Sequence, residues 1–233
     1  MARGMFTKPT PIWITLGAVT LACCAGSVNA VGFLGLQHQA LSHMSGTVTN
    51  LGMELARGDR QLAQHAFLVL LCFFSGCVLS GVIIRHSTLK AGRRYGFALT
   101  VESGLLFTAT YLFRHQSPIG DYLAAMACGL QNAMATSYSG AVIRTTHVTG
   151  IVTDLGIAIG LLARREPVDW RRMRLYLVLL SGFFLGSTLG ATGFLKFGYD
   201  TLLFPAILTG VSGVGFTLFR HYWRAHPPGH ALP

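Results

Sequence analysis

Ser42-His43-Met44-Ser45-Gly46-Thr47-Val48-Thr49-Asn50-Leu51-Gly52 aligns without gaps to Thr146-His147-Val148-Thr149-Gly150-Ile151-Val152-Thr153-Asp154-Leu155-Gly156. Six of the eleven positions are identical, and three more exchange Ser for Thr or Asn for Asp. Upstream, Gly26, Asn29 and Ala30 match Gly129, Asn132 and Ala133 with a one-residue shift. Downstream, Phe73-Phe74-Ser75-Gly76 matches Phe183-Phe184-Leu185-Gly186. Chance supplies one such match readily, but hardly three in the same order. The chain reads as two copies of one unit, roughly residues 10–113 and 117–220, with tails at 1–9 and 221–233.

Composition says where these copies reside. Only 11% of the 233 residues are charged, against roughly 25% in an average soluble domain. Hydrophobic residues reach 52%, and the mean hydropathy is +0.52. So few charges cannot cover a soluble surface, and they lie in basic clusters between apolar runs. The net charge of +10 raises nucleic-acid binding as an alternative. However, Arg85, Lys90, Arg93 and Arg94, and Arg164, Arg165, Arg171, Arg172 and Arg174, sit at the ends of apolar segments. That placement suits anionic lipid at a cytoplasmic surface, not nucleic acid. Cys23, Cys24, Cys72, Cys77 and Cys128 fall inside apolar runs without zinc or haem spacing, so they read as small buried side chains.

A bilayer core needs about 20 apolar residues per helix. Six segments meet this: Ile12–Leu36, Ala66–Ile84, Tyr95–Phe113, Ile119–Ile143, Leu175–Leu195 and Tyr199–Phe219. Val28-Asn29-Ala30 has the look of a signal-cleavage site, but apolar sequence continues beyond it, which favours a retained first helix. Leu41–Ala56 and Val148–Ala163 are apolar but shorter, and they read as interrupted or re-entrant helices. If all eight segments cross with the N-terminus inside, twelve Lys and Arg lie inside and six outside. If the two short ones re-enter, the division is fourteen to four, which the positive-inside rule favours. The expected fold is therefore an all-α polytopic membrane helix bundle of six full spans and two short helices. Three crossings per copy place the copies upside down to each other, an inverted repeat of the kind found in secondary transporters. Both termini are then cytoplasmic.

Met44-Ser45-Gly46, followed by Leu51-Gly52, resembles the first-half signature of the YoaK-like family of uncharacterised bacterial membrane proteins. Gly129-Leu130-Gln131-Asn132-Ala133 and Thr145-Thr146-His147-Val148-Thr149-Gly150 resemble its second-half signature. The resemblance covers nearly the whole chain and implies a bacterial cytoplasmic (inner) membrane protein of about this size. One position departs: family members often carry Asn directly after the first Ser-Gly or Thr-Gly, where this chain has Thr47. The family lends no established activity.

Several polar residues are candidates for chemistry. Glu102 falls near the middle of its span, where an ionisable group costs several kcal/mol unless paired, protonated or hydrated. It reads either as a proton or cation site or as a neutral acid bonded to a neighbouring helix. Asn50 and Asp154 each follow a histidine, His43 and His147, by seven residues, about two helical turns. A site at the repeat axis would gather these four, or they serve the backbone of broken helices. Ser42, Ser45, Thr49, Thr146, Thr149 and Thr153 suit N-caps and close packing, or helix N-termini aimed at an anionic group. Asn29, Gln131 and Asn132 are buried amides for interhelical bonding or ligand contact, and Arg144 is a candidate partner for Asp154. His221, His226 and His230 read as a solvated tail.

These features point first to a secondary transporter of a small solute or ion with proton or cation coupling. The second hypothesis is a non-transporting membrane scaffold or assembly component, which the many glycines also suit. Catalysis is not expected, since the position that would orient His43 is Asn50. No cofactor, metal or nucleic-acid partner is expected, and self-association is left open.

Overall fold

The computed structural model of the chain describes residues 12–84, 93–138 and 145–225. Arg85, Lys90, Arg144, His226 and His230, together with residues 1–9, lie outside them. The described residues form α1 (Ile12–Leu34), α2 (Met44–Arg57), α3 (Arg60–Ile83), α4 (Arg93–Arg114), α5 (Ile119–Tyr138), α6 (Val148–Ala163), α7 (Trp170–Phe197), a 3-10 turn (Gly198–Leu202) and α8 (Leu203–Ala225). Among them there is no strand. Thr15–Leu34, Arg60–Ile83, Arg94–Arg114 and Trp170–Leu218 are long and apolar enough to cross a bilayer, the last comprising α7, the turn and α8.

Local chemistry sets the helix ends. Gly58, at φ 78°, closes α2 in the left-handed conformation that a side chain disfavours. The next residue, Asp59, caps α3: its carboxylate accepts from the amides of Gln61 (3.1 Å) and Leu62 (3.0 Å). Asp169 does the same for α7, accepting from Arg171 and Arg172. These caps explain why α3 and α7 start several residues before the apolar runs expected from hydropathy.

Helix pairing crosses between the two copies. Gly26 of α1 lies against the backbone of Phe183 and Ser187, while Gly182, Gly186 and Gly190 of α7 lie against Val19, Cys23 and Ser27. The numbers rise together, so α1 and α7 are parallel. Likewise His65 of α3 meets Asp121 and Tyr122 of α5, and farther along Gly129 of α5 lies against Phe73 and Gly76 of α3 against Met126 and Leu130, so α3 and α5 are parallel. The contacts are equivalent under the duplication: Gly26 on Phe183 corresponds to Gly129 on Phe73, and Gly186 on Cys23 to Gly76 on Met126.

The remaining contacts are antiparallel. Gln131 of α5 donates to the Leu21 carbonyl of α1 (2.6 Å), and Val28 shares a core cluster with Ala124 and Ala127. On α4 and α8, Gly96 meets Gly213, Ser103 donates to the Ala206 carbonyl (2.6 Å), and Arg114 pairs with Asp200. The turn after α4 folds α5 back upon it, with Gly120 against the Phe113 ring. Helices α1, α4 and α7 therefore run one way, and α3, α5 and α8 the other. As α1 ends where α3 begins, α2 sits at that end of the bundle, and α6 sits at the opposite end.

The four interface glycines leave no room for a methyl group, because a Cβ on any of them would collide with backbone across the contact. Gly186→Val is expected to destabilise by about 1–3 kcal/mol or more, the usual cost of overpacking. Thermal unfolding in detergent should show a lower midpoint for it, and the same for Gly129→Val. Gly104→Ala, with nothing within 4 Å of the added carbon, should leave the midpoint unchanged or slightly raised.

Candidate functional site

After α1 the chain turns back on itself. Gly32 packs against the Gln39 carbonyl and the Leu41 side chain, and the Ser42 amide donates to Asn29 Oδ1 (3.1 Å). Asn29 lies five residues before the end of α1, so α2 starts about 7.5 Å inside that end. Gln39, Ala40, Leu41, Ser42 and Thr47 are buried there. This dipping segment is held by amides: Gln39 Nε2 donates to Thr47 Oγ1 (3.0 Å), and Asn50 Nδ2 donates to Gln39 Oε1 (3.5 Å). Thr47, where the family resemblance led us to expect Asn, takes the Gln39 amide and donates to the Ala40 carbonyl (3.3 Å).

The second copy repeats the backbone but not the polar set. His43 and His147 occupy the N-cap positions of α2 and α6, each with its ring over Gly46 or Gly150, and neither makes a capping hydrogen bond. The hydroxyls expected as caps do other work: Thr49 donates to the Ser45 carbonyl (3.0 Å) and Thr153 to the Thr149 carbonyl (2.9 Å). Ser45 Oγ lies 3.4 Å from His43 Nε2. His43, Ser45, Thr49, His147, Thr149 and Thr153 are all exposed on the protein surface. In place of the Gln39–Asn50 bond, Asp154 Oδ2 accepts from Arg172 (3.1 Å), which also donates to Tyr176 (2.7 Å). Arg172 corresponds to Leu62 in the first copy, so the exchange of Asn for Asp is matched by one of Leu for Arg.

The predicted site residues do not converge. Helix α2 packs on α3 and α6 on α7, and among the described residues α2 and α6 make no contact. His43 and Asn50 therefore lie away from His147 and Asp154.

Glu102 stands apart from both short helices. Its side chain is 1% exposed, and among the described residues Oε2 has no hydrogen-bond partner. Nine residues into α4, it lies about 14 Å from the start of that helix. Core clusters on either side of it, Leu21 with Leu99 and Met134 and Val28 with Leu106 and Ala127, join α1, α4 and α5, so the carboxyl sits among these three helices. Ser103 beside it ties α4 to α8. Asn132 Oδ1 is also buried without a partner, although its counterpart Asn29 accepts the Ser42 amide. Sequence reading passed over Gln39, His65 and Asp121, and it took Arg172, the partner of Asp154, as a charge facing lipid. Only the polar character of Asp121 in the first turn of a predicted span could have flagged it.

An all-helical chain with long apolar helices, a buried carboxyl and paired glycine contacts is a polytopic membrane protein. It belongs to the family described as "Protein of unknown function (DUF1275)", whose model matches residues 17–215. It is similar to the UPF0700 transmembrane protein YoaK of Bacillus subtilis (strain 168), at 23% identity over 141 residues. That match covers 58% of this chain and 62% of the relative's length. The resemblance to the YoaK-like family is thereby borne out. No solved structure matches the chain.

Removing charge from Glu102 and adding it should have opposite consequences for stability. Glu102→Gln is expected to keep the thermal midpoint near that of the parent protein. Glu102→Lys should lower it strongly, since a lysine at mid-membrane costs about 2.5–3.5 kcal/mol on insertion scales. Asp154→Asn removes a half-exposed ion pair and should cost less than about 1 kcal/mol.

Proposed function

We propose that the chain is a secondary transporter of a small solute or ion, coupled to protons or another cation, in the bacterial cytoplasmic membrane. The observation that carries the reading is Glu102, a carboxyl buried in the middle of α4 at the junction of α1, α4 and α5, with an oxygen that nothing satisfies. Intramembrane acids of this kind mark ion and proton pathways. The helix directions support an inverted repeat of six crossings, in which α2 and α6 re-enter from opposite faces. In that arrangement Arg57, Arg60, Arg114 and Lys196 face outward, and the other fourteen Lys and Arg face the cytoplasm with both termini. The basic loops then rest on anionic lipid. The polar differences between α2 and α6 give the two faces different chemistry, which suits directional coupling. No catalytic step, cofactor or metal enters this reading.

A scaffold or assembly role is the second reading, favoured by the glycine contacts that lock α1 on α7 and α3 on α5. Stoichiometric co-purification of a partner, with no solute flux, would decide for it.

Two measurements test the proposal. In a cysteine-free background, Arg57→Cys should react with a membrane-impermeant maleimide from outside, and Arg165→Cys from the cytoplasmic side alone. Labelling of both from the cytoplasm would mean that all eight helices cross. In proteoliposomes, a panel of small solutes and ions should include one whose uptake responds to an imposed proton gradient, and Glu102→Gln should abolish that response. A gradient response that survives in Glu102→Gln would remove the coupling role.

A further inference from the structure

Helices α3 and α5 bury a second polar cluster near the end of the bundle where α2 sits. Asp121 lies in the first turn of α5 and His65 in the second turn of α3. Asp121 Oδ2 and His65 Nε2 are 3.5 Å apart, and their side chains are 4% and 9% exposed. Tyr122 completes the group, its hydroxyl 3.1 Å from His65 Nδ1 and its ring centroid 5.2 Å from that of the imidazole. Neither Asp121 Oδ2 nor His65 Nε2 makes a hydrogen bond.

Packing alone does not call for these groups. The interface of α3 with α5 is equivalent to that of α7 with α1. The positions corresponding to Asp121, Tyr122 and His65 are there Ala18, Val19 and Leu175, and Ala18 and Leu175 share one apolar cluster. At these three positions the same joint therefore closes on apolar side chains. A carboxylate and an imidazole buried with unused hydrogen-bonding capacity are costly, and a structural role would favour the apolar solution seen in the other copy.

We propose that His65 and Asp121 form a proton-binding site that loads and unloads from the extracytoplasmic end. This deepens the transport reading and takes from it only the side of the membrane. Loaded, the pair holds one exchangeable proton, as imidazolium with carboxylate or imidazole with carboxylic acid, and is net neutral. Unloaded, a neutral imidazole faces a carboxylate, and the cluster carries one negative charge. The Tyr122 hydroxyl serves both forms, donating to Nδ1 of the neutral ring or accepting from the imidazolium. Of the other titratable groups, Tyr199 of the 3-10 turn is within electrostatic reach of Asp121, and Cys72 of α3 within reach of Tyr122. Charges on the neighbouring elements are engaged with one another, Glu54 with Arg57 on α2 and Arg114 of α4 with Asp200.

Infrared difference spectra between acidic and alkaline buffer test the proposal on the full-length protein in nanodiscs. A loaded-pair band that disappears on alkalinisation, either that of a protonated carboxyl or that of an imidazolium with a shifted carboxylate stretch, is expected in the parent protein and in Glu102→Gln. It should be lost in Asp121→Asn and displaced in His65→Gln. The same band in Asp121→Asn as in the parent would overturn the site. Should Asp121→Asn fail to fold, Tyr122→Phe takes its place, and an unmoved titration there overturns the proposal equally. Because the readout is proton binding, absence of solute flux would sink the transport reading while leaving this site standing. Flux without the Asp121 band would do the reverse.

Discussion

Backbone meets backbone most closely at Gly26, Gly186, Gly76 and Gly129: the first two join α1 to α7, and the others join α3 to α5. Lipid gives apolar helices no hydrophobic reason to associate, so contact depends on how closely they approach. A methyl group at any of the four would hold the helices apart. Each pair takes one helix from each half of the chain, so neither half builds its own core. The halves interlock, and the directions of the remaining helices follow. Helices α4 and α8 close the bundle in an antiparallel pair, and α2 and α6 are left at opposite ends.

The duplication fixed this framework and then let the polar residues diverge. Where the first copy binds the segment leading into α2 with Gln39, Thr47 and Asn50, the second has Asp154 fastened to Arg172. Where α1 and α7 close over Ala18 and Leu175, α3 and α5 enclose Asp121 and His65. The two copies share their glycines because close approach demands them. Their polar groups are free to differ because the backbone does not depend on them.

Glu102 belongs to neither pattern. It occupies the helix that closes the bundle, at the meeting of α1 and α5, which are equivalent helices of the two copies. The buried Oε2 without a partner leaves capacity for a proton or a cation.

The membrane class and the all-helical character are local properties, and the sequence alone determines them. Hydropathy acts over about twenty neighbouring residues, and a repeat leaves matching letters such as Gly26 with Gly129. Phe73 and Phe183, paired by that matching, take corresponding places against Gly129 and Gly26. Helix starts were not legible from hydropathy, because Asp59 and Asp169 extend α3 and α7 by capping free amides. Which polar residues meet was decided by tertiary structure. His43 with Asn50 and His147 with Asp154 have persuasive spacing, yet packing sends the two pairs to opposite ends of the bundle. Asp121 and His65 come together across 56 residues with no shared motif. Their meeting depends on the pairing of α3 with α5, which rests on small residues far from both, and a single sequence carries no direct signal of it.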